Sequence, residues 1–201
     1  MERMDIGIIG TGAVGSALAD GWAAAGHDVV LGSRSPESTT HESGARVRVG
    51  GQRDAASFGD VVVLALPAGV VTDVATYLSN ELVEKPVVDT SNEYPIESDG
   101  RSLALRLAET VPEARVVKAF NTVGAERLRD PVVQGQRATM FLAGDDPAAC
   151  DVVGTLAGDL GFDPLRAGDI DAAEHLEHLA RFWISLSQTY GRDITFRLLE
   201  E

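Results

Sequence analysis

Two groups of residues near the N-terminus have the types and spacing needed to hold phosphate. The first is Gly10-Thr11-Gly12-Ala13-Val14-Gly15, which follows the apolar run Asp5–Ile9 and precedes the Ala- and Leu-rich stretch Ser16–Ala25. Glycines between a strand and a helix have separate tasks. Gly10 allows a tight turn, Gly12 lets backbone amides approach a pyrophosphate, and Gly15 lets the helix pack closely on the strand. The pyrophosphate then lies on the unpaired amides and positive dipole end of the helix. The second group is Ser33 and Arg34, just past the next apolar run, Asp28–Leu31. A dinucleotide with a free ribose calls for Asp or Glu there, and Leu31-Gly32-Ser33-Arg34-Ser35 contains neither. A hydroxyl and a guanidinium donate to a 2′-phosphate instead, and Arg can do so through paired hydrogen bonds. The expected cofactor is NADP, held by Gly10, Thr11, Gly12, Ala13, Val14, Gly15, Ser33 and Arg34.

Further candidates close the later strands, because ligands of an open parallel sheet sit beyond the carboxyl ends of its strands. Leu66-Pro67-Ala68 can pass beside the nicotinamide ribose, or Pro67 can simply stop the strand. Asp89-Thr90-Ser91-Asn92-Glu93-Tyr94 and Lys118-Ala119-Phe120-Asn121-Thr122 each offer hydrogen-bonding groups or only end a strand. His175 and His178 lie three apart, which could present two imidazoles to a metal, but Glu174 and Glu177 flank them as on a surface helix. No metal site is assigned, and Cys150 reads as a small packing residue. No catalytic side chain is assigned either, since hydride transfer is carried by the cofactor while the protein orients it and excludes water.

These positions need a scaffold of alternating elements. Strands are expected at Asp5–Ile9, Asp28–Leu31, Ala45–Val49, Val61–Leu66, Pro86–Asp89, Val116–Ala119, Thr139–Ala143 and Asp163–Arg166. Helices are expected at Ser16–Ala25, Asp54–Phe58, Val70–Leu82, Ser102–Val111, Asp146–Leu160 and Ile170–Tyr190. The last carries Leu176, Leu179, Ala180, Trp183, Leu186 and Tyr190 along one stripe. Residues 121–137 read as loop with one short helix. The fold class is α/β: a Rossmann-type, doubly wound, mainly parallel sheet in one domain over 1–201, with a C-terminal helical extension from about 168.

With 201 residues the chain can bury one such core and not two. Its 31 acidic residues oppose 17 basic ones, of which only Lys85 and Lys118 are lysines, for a net charge of −14. Such a surface repels nucleic acid and anionic membranes, and its acid-rich, lysine-poor balance suits concentrated salt, where mutual repulsion is screened. No apolar stretch approaches a transmembrane span, and the N-terminus lacks a secretory pattern. A single cysteine allows no internal disulfide. The expectation is a halophilic cytoplasmic protein, a homodimer in which the final helix, with Trp183 and Tyr190, covers the site or meets a second subunit.

Together these residues resemble the small NADPH-dependent oxidoreductases typified by archaeal and actinobacterial deazaflavin-coenzyme reductases. The likeness runs through Ile9–Gly15, Leu31–Arg34, Ala65–Pro67, Val116–Thr122, Phe182-Trp183 and Ile194–Leu199. It implies that Thr11, Ser33 and Arg34 bind the 2′-phosphate; Leu66, Pro67, Ala68, Ala119 and Asn121, at the strand ends, are the further residues expected to face the cofactor. In that family a His near the end of the sixth strand helps hold the deazaflavin, and Asn121 stands at the matching place. The Lys118–Thr122 run also resembles the cytoplasmic NADPH-binding domain of membrane metalloreductases, without a membrane half. The implied activity is hydride transfer between NADP(H) and a planar small-molecule acceptor, a deazaflavin coenzyme first. The alternatives are a flavin or ferric-chelate reductase and a non-catalytic NADP-binding sensor or subunit. A hydroxy-acid or imino-acid dehydrogenase would need a large helical second domain that this length does not accommodate.

Overall fold

The computed structural model describes residues 3–41, 44–93 and 101–199. The elements in chain order are β1 (Asp5–Ile9), α1 (Ala13–Ala25), β2 (Asp28–Ser33), β3 (Val47–Gly51), α2 (Gln52–Phe58) and β4 (Val61–Leu64). They continue through α3 (Val71–Tyr77), α4 (Ser79–Leu82), β5 (Pro86–Asp89), α5 (Leu103–Thr110), β6 (Arg115–Lys118), β7 (Val132–Val133) and β8 (Gln136–Arg137). The last are β9 (Thr139–Ala143), α6 (Pro147–Asp159), β10 (Asp163–Gly168) and α7 (Ala173–Tyr190).

Eight strands form one sheet in the order β10-β9-β6-β5-β4-β1-β2-β3. The pairs from β3 to β6 are all parallel, whereas β9 meets β6 antiparallel and β10 runs parallel to β9. The two last strands therefore run against the other six. This is the Rossmann-type arrangement, with its order reversing between β1 and β4, where a ligand crevice is expected at the strand ends. The central strands are continuous aliphatic runs because helices cover both faces. Ile6, Ile8, Val63, Val88 and Val117 meet α1 and α6 on one side. Ile9, Val62, Leu64, Val87 and Val116 meet α2, α3 and α5 on the other. Trp22 Nε1 donates to the Leu156 carbonyl at 2.9 Å, joining α1 to α6, and its ring meets Phe120 edge-on.

Several boundaries differ from those read in the sequence. Helix α1 begins at Ala13, so Ala13, Val14 and Gly15 are already its first turn. Strand β3 lies two residues later than expected. Strand β4 stops at Leu64, since Pro67 has no N–H to continue the ladder. The expected helix over 70–82 breaks at Leu78 into α3 and α4. Residues 121–137 hold a short helical turn at Ala125–Arg127 and, beyond expectation, the hairpin of β7 and β8. Ser102 caps α5 by accepting from Leu105 N, and Asp146 caps α6 by accepting from Ala149 N. The buried stripe of α7 is Leu176, Ala180 and Trp183 with Glu177, while Tyr190 is 70% exposed. The C-terminal extension is helical only to Tyr190. It then runs extended against β9, where the Phe196 carbonyl accepts from Thr139 N at 2.9 Å.

Candidate functional site

The crevice opens beyond the carboxyl ends of β1, β2 and β4. Gly10 leaves β1 with φ of 121°, a conformation open to glycine, and a Cβ on it would collide with the Ala65 carbonyl. Gly15 lies against the Gly10 carbonyl, so a side chain there would force α1 off the strand. Gly12 differs from both: a Cβ on it would meet nothing within 4 Å, because it faces the open crevice. It also caps α1, whose first turn contains no acidic residue. Unpaired amides, the dipole end and open space are the requirements of a pyrophosphate site, and the turn fits one.

The crevice has a volume of about 670 Å³ and is lined by Gly10, Thr11, Gly12, Ser33, Arg34, Leu66 and Pro67 among others. These seven expected residues are brought together. Ala13 is exposed just beyond the turn, Val14 is half-buried and Gly15 is buried beneath it. Ala68 begins a short helical turn outside the lining. Ala119 is enclosed in the core, and Asn121 is 5% exposed.

At one end of the crevice the chain supplies a cluster of hydroxyls. Ser33 Oγ and Thr39 Oγ1 share a hydrogen bond of 2.7 Å, Ser35 N donates to Ser33 Oγ at 3.1 Å, and Thr39 Oγ1 donates to the Ser35 carbonyl at 2.9 Å. Arg34 stands exposed beside them, with no ion-pair partner among the described residues. Each hydroxyl proton is held within the turn and has to rotate outward to meet an anion; with that rotation, a guanidinium without a carboxylate beside two hydroxyls is suited to a phosphate monoester. Thr39 escapes a sequence reading because it returns to Ser33 only through the turn at Pro36–Ser38. Gln52, Val70, Asp73 and Val74 also belong to the lining and likewise carried no signal.

Beyond the Leu66 wall the ends of β5 and β6 are tied together. Ser91 Oγ donates to the Leu66 carbonyl at 2.9 Å. Asn92 Nδ2 donates to the Asn121 carbonyl at 2.8 Å, and Asn121 Nδ2 donates to Asn92 Oδ1 at 3.0 Å and to the Leu176 carbonyl at 3.1 Å. Both neighbours of the Asn121 amide nitrogen are acceptors, which fixes its orientation and leaves Asn121 Oδ1 buried without a donor. Phe120, at φ of 57°, turns the chain so that its ring enters the core while Asn121 meets Asn92. Lys118 is withdrawn entirely: it is 0% exposed and bonded to Asp89, Glu177 and the Ser91 carbonyl. Tyr94 lies outside the described residues.

The remaining candidates lie elsewhere. His175 and His178 are exposed on α7. Cys150 is buried in α6, and burial pushes its thiol up against a smaller opposing pull from Arg166. Trp183 is covered by the chain's own tail, donating to the Ile194 carbonyl at 2.9 Å, so it is not free to meet a second subunit. Among the described residues no helix is long and apolar enough to cross a membrane.

Residues 5–93 match the family model described as NADP oxidoreductase, coenzyme F420-dependent. A candidate F420-dependent NADP reductase from Arthrobacter sp. FB24 has a crystal structure that superposes with a TM-score of 0.88. It is 30% identical, over 98% of this chain and 100% of that one. The F420-dependent NADP reductase of Methanothermobacter thermautotrophicus is 28% identical over 92% of this chain and 89% of its own length. Metalloreductase STEAP3 of Rattus norvegicus is 32% identical over 88% of this chain, which spans only 36% of that protein.

Proposed function

The chain belongs to the coenzyme F420-dependent NADP oxidoreductase family, and we propose that it transfers hydride between NADP(H) and a deazaflavin coenzyme. The observation that carries the cofactor half is Arg34, without an ion pair among the described residues, lining the same crevice as the Ser33 and Thr39 hydroxyls. Arg34, Ser33 and Thr39 would hold the 2′-phosphate, with Thr11 beside them. The amides at Gly12, Ala13 and Val14 would hold the pyrophosphate, with Gly15 supporting the helix beneath. Leu66, Pro67 and Ala68 would flank the nicotinamide end, with Asn121 at the strand end toward the acceptor and Ala119 supporting it from within the core. Bound NADPH supplies two electrons and one hydrogen to the acceptor as hydride. The protein's part is orientation and exclusion of water, for which no nucleophile is required.

The M. thermautotrophicus and Arthrobacter relatives, which match over nearly their whole lengths, support the deazaflavin. The metalloreductase relative supports a second reading, reduction of flavin or ferric chelate, in which this chain corresponds to only part of a longer protein. An acceptor panel separates them. NADPH oxidation is followed with deazaflavin coenzyme, flavin mononucleotide and ferric chelate in turn, at high salt. Turnover with the deazaflavin supports the first reading, and turnover confined to flavin or iron supports the second. Tight NADPH binding with no turnover would leave a sensor or subunit. The acidic, lysine-poor composition supports work in concentrated salt inside the cell. Exposed Phe182, Tyr190 and Leu199 offer a surface for the expected homodimer, which light scattering at that salt would test.

A further inference from the structure

The cluster behind Leu66 holds more acid than its pairing requires. Lys118 Nζ lies 2.8 Å from Asp89 Oδ2 and 2.8 Å from Glu177 Oε1, and its third hydrogen reaches the Ser91 carbonyl. Three donors with three acceptors specify an ammonium. The carboxylates are met by N–H donors: Asp89 Oδ1 accepts from Ser91 N at 2.9 Å, and Glu177 Oε1 also accepts from Leu103 N at 2.8 Å. Two carboxylates thus face one ammonium, leaving one surplus negative charge where Lys118 and Asp89 are 0% and Glu177 is 2% exposed. Nearby Glu93 adds nothing to it, being paired with Arg106 at 3.2 Å. A buried surplus charge is costly, and one carboxylate would have sufficed to pair Lys118.

Its place in the fold suggests what offsets that cost. Lys118 bonds the Ser91 carbonyl, and Ser91 Oγ bonds the carbonyl of Leu66, which lines the crevice. The cluster sits at the carboxyl ends of β5 and β6, the side of the sheet on which ligands lie. Burial of its side chains weakens the screening of that charge by solvent. The oxidised nicotinamide ring carries a positive charge that the reduced ring lacks. We propose that the surplus charge of Asp89, Lys118 and Glu177 favours the oxidised ring and so promotes hydride donation. Asp89 and Glu177 act as positioning residues for charge, without touching the cofactor. The inference rests on NADP(H) binding in the crevice.

The test is direct titration of the wild type, Glu177→Gln and Asp89→Asn with NADP+ and with NADPH separately, following tryptophan fluorescence. Each substitution keeps an oxygen acceptor for Lys118 and removes one charge. In both variants the ratio of the NADP+ to the NADPH dissociation constant is expected to rise about threefold or more. A purely structural cluster would change both constants together and leave the ratio at its wild-type value, which would overturn the proposal. A wild type that binds neither form would instead overturn the NADP reading, and this inference with it.

Discussion

Asn92 and Asn121 exchange hydrogen bonds across the ends of β5 and β6: Asn92 Nδ2 donates to the Asn121 carbonyl at 2.8 Å, and Asn121 Nδ2 donates to Asn92 Oδ1 at 3.0 Å. Asn121→Ala removes the side-chain half of that exchange, leaving the part-buried Asn92 Oδ1 without its donor, and removes the second bond accepted by the helical Leu176 carbonyl. A loss of about 1–3 kcal/mol in unfolding free energy is expected by urea denaturation. If Asn121 Oδ1 also receives a donor from the acceptor molecule, the acceptor KM should rise while NADPH affinity is unchanged.

Lys118→Met should be far more damaging. It leaves Asp89 and Glu177 buried without a cation, and about 3–5 kcal/mol of stability is expected to go. Adding Asp89→Asn and Glu177→Gln to the same chain should restore much of it. Failure of the triple variant to recover would mean that the hydrogen bonds Lys118 donates, the one to the Ser91 carbonyl included, matter more than its charge.

Gly12 and Gly10 should respond oppositely to added side chains. Gly12 has extended backbone and open space, so Gly12→Val should leave the melting temperature nearly unchanged while weakening NADPH about 100-fold or more. Gly10→Ala should destabilise the fold itself, because φ of 121° and the Ala65 carbonyl both oppose a Cβ. Differential scanning fluorimetry with and without NADPH distinguishes the two effects.

Cys150 should be inert. Burial holds its thiol above the ordinary range, so thiolate stays scarce at neutral and mildly alkaline pH. Iodoacetamide labelling of the native protein is expected to be much slower than that of protein in urea. Equal rates would show that α6 opens readily.

Arg34→Glu replaces a phosphate donor with a like charge. NADPH affinity should fall about 30-fold or more, the scale of lost charged hydrogen bonds, while NADH affinity changes little. Ser33→Ala should weaken NADPH by a smaller factor, since Thr39 remains.

Much of this architecture was legible because local pattern and fold agree. The branched run at β4 read as a strand covered on both faces, the apolar runs at β1, β5 and β6 read as further strands, and Gly10 to Gly15 between strand and helix located the crevice. Other features have no local signature. An apolar run carries no direction, so the reversal of β9 and β10 was invisible. The β7–β8 hairpin left a faint cue in Gln134-Gly135, both at positive φ as a tight two-residue turn requires, but its strands are two residues each. Lys118 looked like the close of a strand. Its carboxylate partners lie 29 and 59 residues away, and only the folded topology brings them to it.

The most direct measurement is calorimetric titration of the unmodified protein with NADPH and with NADH at the same high salt. NADPH is expected to bind at least about 30-fold more tightly, through Arg34 and the Ser33–Thr39 hydroxyls. Equal affinities, or tighter binding of NADH, would contradict the assignment of that cluster to the 2′-phosphate.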